Sequence, residues 1–158
     1  MPLAGERVKA SHADFPVTRA RGTSATSIAN NSYTSVNLQT EDFDDDGMHS
    51  TSVNTSRFTA QRDGRYLVAG GVGFSGNTTG RRGARIALNG ASVEGTATLL
   101  IATSASAVAV STRTAVVEMV VGDYVEVQAF QDSGGALNTS TTSEVQPSLM
   151  AEFRGTGS

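Results

Sequence analysis

"SRFTAQRDGRYLVAGGVGF", residues 56–74, decides the fold. Tyr66, Val68, Gly70, Val72 and Phe74 fall on one parity, which is the period of a β-strand with one face buried. Asp63-Gly64, just before it, supplies the residues that tolerate positive φ in a tight turn. The spacing predicts a strand entered through that turn.

Outward from this stretch the β signal continues in both directions. "SYTSVNL" (32–38), "ARIALNG" (84–90), "ASAVAVSTRTAVVEMVV" (105–121), "DYVEVQAF" (123–130) and "PSLMAEF" (147–153) are short runs separated by Asn89-Gly90, Gly122-Asp123 and Gly134-Gly135. Short strands with turn signals at such spacing point to an all-β sandwich or jelly roll. The helical rival is "TATLLIATSASAVAVSTRTAVVEMV" (96–120), rich in Ala and Leu. Val108, Val110, Thr112 and Thr114 alternate there, and Ser, Thr and Val weaken helices, so strand is expected. Residues 133–143, rich in Ser, Thr and Gly, read as a long loop.

The first 22 residues, "MPLAGERVKASHADFPVTRARG", have no sustained period. They read as an N-terminal arm ahead of a domain at 23–155 and a tail at 156–158. Pro16 biases Phe15 toward extended geometry, so "DFPVTRAR" suits an edge strand or a partner's surface. Arg7, Lys9, Phe15, Arg19 and Arg21 are the arm's candidate partner-binding residues.

A chain of 158 residues suffices for one core. Charged residues make up 17%, below the usual quarter, so part of the surface is expected to be covered by neighbours. Net charge −3 argues against electrostatic docking on nucleic acid or an anionic membrane. Cysteine is absent, which excludes disulfides and thiolate chemistry. No apolar run approaches the roughly 20 residues that cross a bilayer, and no apolar signal core opens the chain. A chain kept soluble is the expectation.

"EDFDDDGMHS" (41–50) imitates the first half of an EF-hand loop, and Asp42, Asp44 and Asp46 are its candidate metal ligands. Counted from Asp42, the twelfth position is Val53 and the flanks are extended, so the EF-hand fails and a turn with Gly47 in the left-handed region is expected. Gly71, Gly73 and Gly76 fit G-x-G-x-x-G, but no helix follows to face a phosphate; close backbone approach in a crowded sheet explains them better. His12 and His49 lie beside no nucleophile elbow, and Glu118, Glu126 and Asp132 are not paired by spacing. No catalytic residue, cofactor or enzymatic role is expected. "GRRGAR" places Arg81, Arg82 and Arg85 together, a second candidate for gripping an acidic partner. The sequons at Asn30, Asn54, Asn77 and Asn138 carry little meaning without a secretory signal.

With Phe58, Gly64 and Tyr66 in place, residues 56–74 resemble the central strand pair of the complement and tumour-necrosis-factor type jelly roll. "VVEMVVGDYVEVQAF" resembles that family's later hairpin and "PSLMAEF" its closing strand, with Ala151 and Glu152 standing where the family usually has a glycine before the aromatic. The resemblance spans about residues 23–155 and lacks the complement proteins' collagen-like stalk. It implies a homotrimer, with Phe58, Tyr66, Phe74, Tyr124, Phe130 and Phe153 in core or trimer contacts. "FDDDGMHSTSVNTSRFTA" and "GDYVEVQAFQDSGGALN" look similar to free-standing modules of this type in tailed-bacteriophage virions. That implies a virion structural protein assembled in the host cytoplasm. The expected role is a capsid decoration or cement protein bound to the major capsid protein; the alternative is a receptor- or glycan-binding head of a tail or adsorption appendage.

Overall fold

The computed structural model describes residues 14–156. In chain order its strands are β1 (Val17–Arg21), β2 (Ser27–Ile28), β3 (Ser32–Ser35), β4 (Thr40–Asp44), β5 (Phe58–Thr59), β6 (Gly64–Phe74) and β7 (Arg81–Leu88). There follow β8 (Ala91–Ser92), β9 (Thr98–Ile101), β10 (Val108–Ser111), β11 (Ala115–Met119), β12 (Tyr124–Gln131), β13 (Leu137–Asn138) and β14 (Ser148–Phe153). No α-helix occurs among the described residues. The alternating run at 105–121 became β10 and β11, broken at residues 112–114.

Two antiparallel sheets face each other. One runs β10-β6-β14-β1-β4, with β11 also on β6; the other runs β5-β12-β7-β8, with β9 also on β7. The long β6 holds β10 against its end at Gly71–Phe74 and β11 against its start at Gly64–Val68. The predicted parity holds: Tyr66, Val68, Val72 and Phe74 are buried, together with Leu149, Ala151 and Phe153 of β14. They meet Val125, Val127 and Ala129 of β12 and Ala84 and Ile86 of β7 in one cluster. Each large apolar side chain buried there contributes about 1.5–3 kcal/mol. The Tyr66 hydroxyl donates to the Arg62 carbonyl at 2.8 Å, and burial raises its phenol above the ordinary pKa.

Gly73 and Gly76 of the triplet admit close backbone approach, as expected of a crowded sheet, while Gly71 has ordinary room. A Cβ on Gly73 would collide with the Val145 carbonyl, and one on Gly76 with the Ala105 carbonyl. Asn89 and Gly90, both with positive φ, make the tight turn between β7 and β8.

Two readings need correction. Residues 17–21 are extended, as "DFPVTRAR" predicts, but they are neither an arm nor an edge: β1 pairs with β14 on one side and β4 on the other. Thr18 and Ala20 are fully buried, and that burial fixes the strand where composition showed no period. The segment at 133–143 is no plain loop: β13 pairs with β2, and a 3₁₀ turn begins at Ser143. The buried Gln131 side chain holds it by donating to the carbonyls of Ile28 and Gly135.

Candidate interaction surfaces

Alternation hands every second residue of the six-stranded sheet to its outer face. Register aligns these residues in rows. Val116, Leu67, Glu152 and Val17 form one row, and Ala69, Met150, Arg19 and Phe43 the next. Leu67, Ala69 and Met150 are only half-buried, while Val116 and Phe43 are exposed. A second apolar surface lies on the other sheet at β9, where Leu99 and Ile101 are 49% and 74% exposed. Leu99 crosses Gly83, whose missing Cβ leaves room for it.

The outer side of the five-stranded sheet is a ladder of arginines and aromatics. The Arg85 guanidinium lies 3.7 Å from the Tyr33 ring centroid, Tyr33 lies 5.2 Å from Phe130, and Arg81 lies 5.5 Å from Phe130. Arg57 covers Tyr124 at 4.0 Å.

The arginine cluster does not form one patch. Arg81 pairs with Asp132 at 2.7 Å, and Arg85 donates to Gln128 at 2.8 Å. Arg82 shares the parity of the core residues Ala84 and Ile86 and is fully buried, so it is no partner-binding residue. Its terminal nitrogens donate to the carbonyls of Asn77, Thr79 and Arg81, while its Nε meets no acceptor. Burial lowers the guanidinium pKa, and the nearby Asp132 charge opposes that. Hydrogen bonds to the backbone and side chain of Arg81 hold the Asp132 carboxyl below its ordinary value.

The carboxylates of the acidic stretch turn toward separate donors. Asp42 pairs with Arg19 and Arg21, and Asp46 with Arg62 at 2.9 Å. Asp44 accepts from Thr18 Oγ1 at 2.7 Å and from the amides of Met48 and His49 at 2.9 and 3.0 Å. Among the described residues no three His, Cys, Asp or Glu are grouped to hold a metal. Gly47, with φ +68°, completes the turn.

Of the arm candidates, Arg7 and Lys9 lie outside the described residues, as does His12. Phe15 is exposed, and Arg19 and Arg21 are drawn onto Asp42. Of the six aromatics, Phe58, Tyr66, Phe74, Phe130 and Phe153 are buried, and Tyr124 is half-covered beneath Arg57. Phe153 meets Tyr66 edge-on at 5.3 Å.

One site carried no sequence signal. An open depression of about 310 Å³ is lined by Met48, His49, Ser50, Asn54, Arg57 and Gln61 among others. His49 forms part of its wall: the ring side chain is fully buried, with Nδ1 2.9 Å from Glu41 and Nε2 3.0 Å from the Thr55 carbonyl.

No protein-family model and no curated protein sequence matches the chain. Solved structures do. Murine APRIL shares 14% identity at a TM-score of 0.65, covering 88% of this chain and 98% of that one. The Eiger TNF of S. frugiperda shares 14% at 0.61, covering 91% and 95%. The globular domain of zebrafish complement 1qA shares 15% at 0.53, covering 82% and 94%. The fold is the tumour-necrosis-factor and complement 1q type of jelly roll. Identities this low establish the fold of the chain and leave its role to its surfaces.

Proposed function

We propose that this protein is a structural subunit of a tailed-bacteriophage virion, a homotrimer that decorates the head by binding the major capsid protein. The observation that carries the self-association is the pair of apolar surfaces on one copy: the outer face of the six-stranded sheet around Leu67 and Met150, and the β9 edge at Leu99 and Ile101. Two different surfaces that complete each other make a heterologous contact, which closes into a ring when its rotation is a whole fraction of a turn. Three copies closed this way bury both surfaces. The low charge content of the sequence agrees with a subunit much of whose surface is covered.

The virion assignment rests on the sequence resemblance carried by residues 43–60 and 122–138. The partner-binding element is the N-terminal segment, whose cationic residues Arg7 and Lys9 precede β1. Sedimentation velocity on the purified protein gives three times the chain mass, and Met150→Glu, which places a charge in the middle of the sheet face, gives monomer. Added to heads that lack the protein, the wild-type trimer binds them; a chain without residues 1–13 still trimerises and does not bind. The deletion stops short of β1, whose loss would open the sheet. A monomeric wild type refutes the self-association, and a trimer that ignores heads refutes the decoration role.

A further inference from the structure

Arg57 is held in a way that leaves its charge available. It precedes β5 and follows the left-handed Asn54, to whose carbonyl its amide donates at 2.9 Å. Its guanidinium carbon lies over the Tyr124 ring at 4.0 Å from the centroid, and its Nε sits 3.5 Å from Glu126 Oε1. Glu126 is itself fixed: it is 4% exposed and accepts from Ser56 Oγ at 2.6 Å and Ser35 Oγ at 2.9 Å. The ring contact and the ion pair hold the group in place. Its two terminal nitrogens meet no acceptor among the described residues.

A guanidinium with both terminal nitrogens unengaged offers two parallel N–H donors, the arrangement that takes both oxygens of a carboxylate. Its side-chain freedom is already restricted, so little entropy remains to be lost on binding. Glu126 behind it leaves the local charge near balance, which suits a singly charged carboxylate better than a phosphate dianion. The rest of the wall is mainly polar, with the Ser50 hydroxyl, the amides of Asn54 and Gln61 and the His49 ring, and Val53 is its exposed apolar member. Such groups match the hydroxyls and the C–H face of a sugar ring.

We propose that this depression binds a uronate unit of an acidic polysaccharide, its carboxylate gripped by the terminal nitrogens of Arg57 and its hydroxyls by Ser50, Asn54 and Gln61. The site lies apart from the sheet rows and the β9 edge and does not rest on the decoration role, so loss of trimerisation and loss of sugar binding are separately readable.

The test is titration of the full-length protein with trigalacturonate, followed by calorimetry and by the amide resonances of Asn54, Arg57 and Gln61. Neutral maltotriose and acetate serve as comparisons. Saturable trigalacturonate binding that moves these resonances, with no saturable response to either comparison, is expected. Arg57→Gln is expected to weaken it by at least about tenfold. No saturable binding, equal affinity in Arg57→Gln, or acetate binding as tightly as the trisaccharide overturns the proposal. If Arg57→Gln does not fold, Gln61→Ala is read in its place: a several-fold weakening at unchanged melting temperature supports the site, and unchanged affinity overturns it.

Discussion

Gly73→Ala tests whether Gly73 in the G-x-G-x-x-G triplet is there to admit a close backbone approach. The new Cβ would lie on the Val145 carbonyl oxygen and 2.7 Å from its carbon, with Ser140 Cβ at 3.3 Å. Ordinary contact begins near 3.4 Å and the Val145 oxygen lies far inside it, so the 3₁₀ turn at Ser143–Val145 must retreat by about 2 Å. That movement strains the bond from the Ser140 amide to the Gly73 carbonyl, now 2.8 Å, and the bridge between Phe74 and Thr139. Overpacking costs about 1–3 kcal/mol and each lost hydrogen bond about 1 kcal/mol, so roughly 3 kcal/mol is expected in total. In a chain of this size that lowers the melting temperature by about 6–12 °C. Gly71→Ala is the internal control, because its nearest neighbour, the Val110 carbonyl oxygen, stands at 3.4 Å. It should change stability by less than about 1 kcal/mol. Differential scanning calorimetry of the three proteins decides the matter. Equal melting temperatures for both variants would show that the close approach of β6 to the 3₁₀ turn is absent, and with it the reason for a glycine there.

Arg82→Ala leaves the carbonyls of Asn77, Thr79 and Arg81 without their shared donor, and a loss of more than about 3 kcal/mol is expected in urea unfolding. Acid should weaken the fold through Asp132 and Asp123, both held below the ordinary carboxyl value, Asp123 chiefly by the Val120 amide and then by Asn89. Carboxylates depressed in the folded state contribute stability above the unfolded pKa near about 3.9, and that contribution disappears as pH falls through the lower folded value. Asp132→Asn is therefore less stable than wild type at neutral pH, and the gap narrows below about pH 4; a gap that stays constant on acidification contradicts the assignment.

The sequence alone determined the fold class. Period two along residues 66–74, the turn at Asp63-Gly64 and the breaks at Asn89-Gly90 and Gly122-Asp123 are local backbone preferences, which need no knowledge of what lies opposite. The burial of Arg82 was legible in principle, since it shares the parity of Ala84 and Ile86, but its charge argued for the surface. Only the assembled sandwich supplied the loop carbonyls that make a buried cation tolerable. In the same way, pairing with β14 and β4 made a strand of residues 17–21, and Arg19, Arg21 and Arg62 drew the acidic stretch away from metal geometry. Arg57 stacks on a tyrosine from a distant strand. Such partners are brought together by strand pairing between segments far apart in the chain, and a periodicity read along one segment contains no term for them.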